Sequence, residues 1–176
     1  MQNTEVTAED LIELESQLGR PVRDVLAIAA RCVCGRPLVV KTAPRLADNT
    51  PFPTLYYMTN PGLTAPISAL EANGVMAALQ AKLAEDADLA AAYLRAHEAY
   101  LAERVALGDV SEIEGISAGG MPVRVKCLHA LVGHSLAAGP GVNPIGDLAL
   151  AELAKANTWV QTRCSCKVAS PQATIR

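Results

Sequence analysis

The chain has 176 residues, a formal net charge of −3 and a composition that is 51% hydrophobic, yet it holds only one Phe, four Tyr and one Trp. That length suits one domain with a core of its own, and because alanine supplies much of the apolar content, closely packed helices are expected. The weak acidic balance excludes a general nucleic-acid binder, which needs a basic face to displace counterions, and no run approaches the roughly 20 apolar residues of a membrane span.

The N-terminus, MQNTEVTAEDL, has neither the basic start nor the apolar stretch of a secretory signal. The expected location is the cytoplasm, where the five cysteines read as reduced thiols or metal ligands. Thr7 reads as a helix N-cap reciprocated by Asp10. Leu11, Ile12, Leu14 and Leu18 follow at near-helical spacing, and Gly19 supplies the stop. Val25 to Val33 and Pro37 to Thr42 read as strands joined by a turn at Cys34, Gly35 and Arg36, with a third strand over Thr54 to Thr59. Connections this short allow no crossover helix, so the sheet is antiparallel.

The remainder reads as helical. Segments run from Thr64 to Asn73, from Val75 to Leu83, and from a cap at Asp88 to Leu107. A glycine-containing loop, Gly108 to Gly120, precedes a helix opened by Pro122 and ending near Ala138. Asn143 and Pro144 open the last helix. The expected fold is α+β, a small antiparallel sheet of about three strands with a mainly helical remainder. One domain covers 1–160, and 161–176 forms a flexible C-terminal tail.

The stretches QLGRPVRDVLAIAARCVCGRPLVVKTAPRL, NTPFPTLYYMT, LAAAYLRAHEAYLAER, SAGGMPVRVKCLHALVGHSLA and GPGVNPIGD occur in this order across most of the chain. Together they resemble the family called domain of unknown function 501, uncharacterised bacterial proteins best represented in high-GC Gram-positive bacteria. The resemblance implies no activity. It implies an association with genes for a septum-formation-initiator-like protein and an exopolyphosphatase, and hence a candidate protein partner. Two positions depart from the family: Asn60 stands where relatives often carry Cys or His, and Leu148 where they often carry Glu.

Three constellations carry chemistry. Gly119 and Gly120 before a proline-opened helix would leave backbone N–H groups free at a positive dipole end, with Arg124 and Lys126 adding cations, which is a recipe for holding a carboxylate or phosphate. In the same helix Cys127 shares a face with His134, about two turns apart, while His129 points elsewhere. Cations near Cys127 would make it a nucleophile. Along the long helix Tyr93, His97, Tyr100 and Arg104 form one stripe, with His97 as a proton-transfer group and Arg104 as a ligand contact, or both as core fasteners.

The thiols form the third constellation. Cys32 and Cys34 lie two apart beside a strand and share a face with each other, and with Cys127 they make a candidate metal trio, zinc being the ion that favours such ligands. Cys164 and Cys166 repeat the spacing in the tail. The leading expectation is a protein that binds a small anionic or phosphorylated ligand and, in an enzymatic version, turns it over with His97, Cys127 and His134 as catalytic candidates. The alternatives are a non-catalytic interaction protein linked to cell division or polyphosphate metabolism, and a Cys/His metal-site protein. The residues alone leave catalysis open.

Overall fold

The computed structural model describes residues 3–166. The elements run α1 (Ala8–Leu18), β1 (Val25–Arg31), β2 (Pro37–Thr42), β3 (Tyr56–Met58), α2 (Pro61–Ala72), α3 (Val75–Glu85), α4 (Ala87–Val105), α5 (Leu128–Ala138) and α6 (Pro144–Lys155), with a single 3-10 turn at Ser111–Ile113. The three strands form one antiparallel sheet in the order β1-β2-β3. The fold is α+β, as the sequence pattern implies. No helix among the described residues is long and apolar enough to cross a membrane.

The strand period of two sorts the sheet between two cores. Ile28 and Val40 pack with Leu14 of α1, joined by Tyr57 at the margin. Val39, Tyr56 and Met58 pack instead with Leu128, Leu131 and Val132 of α5 and with residues of α2, α4 and α6. α1 is therefore a cover on the sheet face opposite the helical layer. Its capping box is complete: Thr7 Oγ1 accepts from the Asp10 amide, and Asp10 accepts from the Thr7 amide. Asp10 also receives two Arg31 donors, at 2.6 and 2.7 Å, which ties the helix start to the end of β1. Arg31 holds the Asp10 carboxyl down at about 2 against the opposing effect of burial, with Thr7 helping.

Three helix starts differ from the sequence pattern, each for a local reason. α2 starts a turn earlier than expected, because Asn60 caps it through Gly62 N–H and Pro61 fills the first position. α4 is capped by Asp86, which accepts from Leu89 N–H, and not by Asp88. The helix expected from Pro122 begins only at Leu128. There the Arg124 amide bonds Gly120 O and the Lys126 amide bonds Gly119 O, so the chain closes on itself first. Of the stretch 161–176 expected as a tail, residues 161–166 are described, with 161–164 exposed and Cys166 packed against the main core; 167–176 lie outside the described residues.

Candidate functional site

The turn that joins β1 to β2 sets the first cluster. Cys32 N–H bonds Arg36 O, Gly35 N–H bonds Cys32 O, and Gly35 adopts a left-handed φ of 89° that suits a residue without Cβ. Arg31 Nη1 also donates to Gly35 O at 3.0 Å, clamping the turn to the Asp10 pair. This presents Cys32, buried, and Cys34, exposed, toward the N-terminus of α2.

The chain returns to that spot after α6. Trp159 is buried in the main core, and the segment beyond it runs against α2. The approach is close enough that a Cβ on Gly62 would sit 2.0 Å from Ser165 O. Cys164 and Cys166 arrive there, and the four Sγ atoms of Cys32, Cys34, Cys164 and Cys166 all lie within 4.8 Å of one another. Cys34 Sγ and Cys166 Sγ are 3.7 Å apart, and Asn60 Nδ2 donates to Cys166 Sγ at 3.3 Å and to Pro37 O at 3.2 Å. Crowding splits the thiols. Slight burial raises Cys34, but the Arg36 amide and the neighbouring thiols outweigh it and bring Cys34 down to about 7. Burial, followed by Cys32 and Cys34, pushes Cys166 well up. This four-cysteine cluster is a set of residues that could hold a metal ion.

Cys127 is not part of it. The expected trio divides, because Cys127 is the N-cap residue of α5 and groups instead with His129 and Glu71, their ligating atoms again within 4.8 Å of one another. With the helix starting at Leu128, Cys127 and His129 come together at its first turn, where a continuous helix would have parted them. Glu71 of α2 accepts from Leu128 N–H at 2.6 Å and meets His129 Nδ1 at 3.2 Å. The other ring nitrogen, Nε2, faces Thr64 O at 3.2 Å and Ser68 Oγ at 3.3 Å. Cys127, burial in the opposite sense, and Glu71 together set the His129 imidazole at about 9. His129 in turn pulls the Cys127 thiol below its ordinary value against burial, with the Ala130 amide assisting.

The other expected site residues are spread out. Arg124 and Lys126 are exposed, and Gly119 and Gly120 close a loop at φ 69° and 94° with no helix N-terminus behind them. Arg104 is 3% exposed and donates to Pro53 O, Ile113 O and Ile116 O, so it fastens two loops to α4. His97 Nδ1 meets Ser117 Oγ at 2.9 Å, and burial lowers its basicity. His134 is fully buried, stacked on Tyr56 and edge-on to Tyr100. Asn143 Oδ1 accepts from Gly146 N–H, so its Nδ2 donates to His134 Nδ1 and the His134 proton sits on Nε2, which has no partner among the described residues. Along α4, Tyr93, Tyr100 and Arg104 are buried and bond loop backbone, whereas His97 is half-buried against Ser117.

The fold is a three-stranded antiparallel sheet between a covering helix and a helical layer, with a four-thiol cluster at one end. The chain belongs to the family described as protein of unknown function (DUF501), whose model matches residues 28–151. That span includes Cys32, Cys34, Glu71, Cys127 and His129 but stops short of Cys164 and Cys166. No curated protein and no solved structure matches the chain.

Proposed function

We propose that this is a zinc-binding protein whose Cys32, Cys34, Cys164 and Cys166 form a closed, structural four-thiolate site. The observation that carries the reading is the convergence of two Cys-x-Cys pairs from opposite ends of the chain on one spot. Zinc bound tetrahedrally by sulfur at about 2.3 Å has S···S edges of about 3.8 Å; the Cys34–Cys166 separation of 3.7 Å fits that edge. Thiolates are the soft donors zinc accepts in structural sites. Asn60 N–H aimed at Cys166 Sγ supplies the kind of outer hydrogen bond that orients a ligand and spreads its charge. Four protein ligands leave no open position, so the ion would not bind substrate. Its work is to fix the segment after Trp159 onto the β1–β2 turn and the start of α2.

Metal analysis of untagged protein purified under reducing conditions is the test. One zinc per chain is expected, with loss of the ion in Cys34→Ser and in Cys164→Ser. Protein that carries no stoichiometric metal and takes up none from added zinc would refute the reading.

A further inference from the structure

The four sulfurs at the β1–β2 turn differ in access. Cys34 and Cys164 are exposed, Cys166 is half-buried and Cys32 is buried. They also differ in what a covalent bond between them would join. A bond inside either Cys-x-Cys pair would link residues that are already neighbours in the chain. One from Cys34 to Cys166 would join residues 132 apart and staple the C-terminal segment to the turn. Those two sulfurs are in contact at 3.7 Å, and a disulfide sets them at about 2 Å, so its closure takes a movement of about 1.7 Å shared by two side chains.

The chain itself holds this approach. Buried Asn60 donates to Cys166 Sγ at 3.3 Å and to Pro37 O at 3.2 Å, so one amide fixes the sulfur against the start of β2. Cys32 N–H and Gly35 N–H close the turn that carries Cys34. The absent Cβ of Gly62 lets Ser165 O come in beside Cys166. With Cys34 at the surface, a small oxidant reaches its sulfur without opening the core, and the partner sulfur is already in contact with it.

We infer, on the zinc reading proposed for this site, that the four cysteines form an exchangeable clamp: a hydroperoxide replaces the ion with a Cys34–Cys166 disulfide, and the C-terminal segment stays fastened in both forms. The Cys34 thiolate attacks the terminal oxygen of the hydroperoxide and becomes a sulfenic acid. The O–O bond breaks, and the leaving hydroxide or alkoxide takes a proton from solvent. The Cys166 thiolate then attacks the Cys34 sulfur, the S–O bond breaks, and the hydroxide that leaves takes a second proton. The two sulfurs have given two electrons to the peroxide. Zinc, left with two ligands, departs as the dication, and Cys32 and Cys164 each take up a proton.

Hydrogen peroxide added to the full-length protein, once metal analysis has verified its zinc, tests this with a chromogenic chelator reading the freed ion. Release of one equivalent is expected together with the Cys34–Cys166 link, and dithiothreitol with added zinc should reverse both. Fragment ions assign the link, since trypsin leaves Cys32 with Cys34 and Cys164 with Cys166. The oxidised protein should melt nearer the zinc-loaded form than the reduced, zinc-free one, because a cross-link across so long a loop constrains the unfolded chain. Cys164→Ser, which loses the ion but keeps both bonding sulfurs, should gain melting temperature with peroxide, and Cys34→Ser should not. Iodoacetamide labelling of the Cys127 peptide across pH supplies a reference thiol, whose rate and midpoint should be the same in the zinc-loaded and disulfide-linked protein. Zinc that stays bound under peroxide, any other disulfide pairing, or a Cys127 midpoint that moves would overturn the proposal alone. Protein that holds no zinc before peroxide is added would overturn it together with the zinc reading.

Discussion

Two thiol clusters in one small fold solve the same electrostatic problem in opposite ways. At the β1–β2 turn, four sulfurs lie within 4.8 Å of one another with an amide hydrogen from Asn60 and no side-chain cation in the set. Such a group can ionise together only around a positive ion. At the start of α5, one sulfur sits beside an imidazole that two acceptors hold in its protonated form. The first arrangement could hold a metal ion, which our proposal makes its counter-charge; the second has an imidazole beside the sulfur.

Separate sites should respond separately, which makes the comparison breakable. The largest effect belongs to metal removal. A ligand present at a thousand times its dissociation constant stabilises the native state by about 4 kcal/mol, so a strong chelator should lower the melting temperature and open the segment between Trp159 and Cys164 to protease. Labelling of Cys127 should keep its rate. If chelation left melting unchanged while altering Cys127, the assignment of roles would be reversed.

Gly62→Ala sharpens the same contrast by sterics alone. The added methyl would meet Ser165 O at 2.0 Å, a backbone atom that can clear it only by moving the C-terminal segment. Zinc affinity measured by competition with a chromogenic chelator should fall, and the Cys127 pH midpoint should not move. Asn60→Ala should follow with a loss of about 10-fold to 100-fold in zinc affinity, as expected for an outer-shell hydrogen bond. It also removes the α2 cap, so a melting curve of the metal-free protein separates the two contributions.

The smallest effect is in the pH dependence of stability. His129 sits at about 9 in the folded chain against an ordinary 6.5. Its contribution is complete below 6.5 and fades as pH rises through about 9. His134 behaves in the opposite sense: burial holds it down at about 4, so its contribution is present above 6.5 and lost as pH falls through 4. Urea midpoints of His129→Gln should therefore differ from the parent's most below pH 6.5 and converge above about 9.

What is legible in the sequence follows the range of the interaction. Thr7 with Asp10, Gly19, and Asn143 with Pro144 are signals confined to a few residues, and the structure uses each in that role. The sheet is equally legible, since short links between apolar runs fix antiparallel pairing. The α5 start is not: a proline after two glycines resembles a helix entry, but the Gly119 and Gly120 carbonyls are taken by the Lys126 and Arg124 amides. That single shift of boundary hides the Cys127–His129 pair. Glu71, from another helix, leaves no trace in the spacing at all. The repeated Cys-x-Cys pattern is the one available hint of the four-cysteine cluster, and its two halves meet only through tertiary folding.

X-ray absorption at the zinc edge tests the central claim most directly, because it counts ligands by element. The closed site predicts a single shell of four sulfurs at about 2.3 Å, retained in Cys127→Ser and His129→Gln. A shell containing nitrogen or oxygen, or one that changes with either of those substitutions, would contradict it.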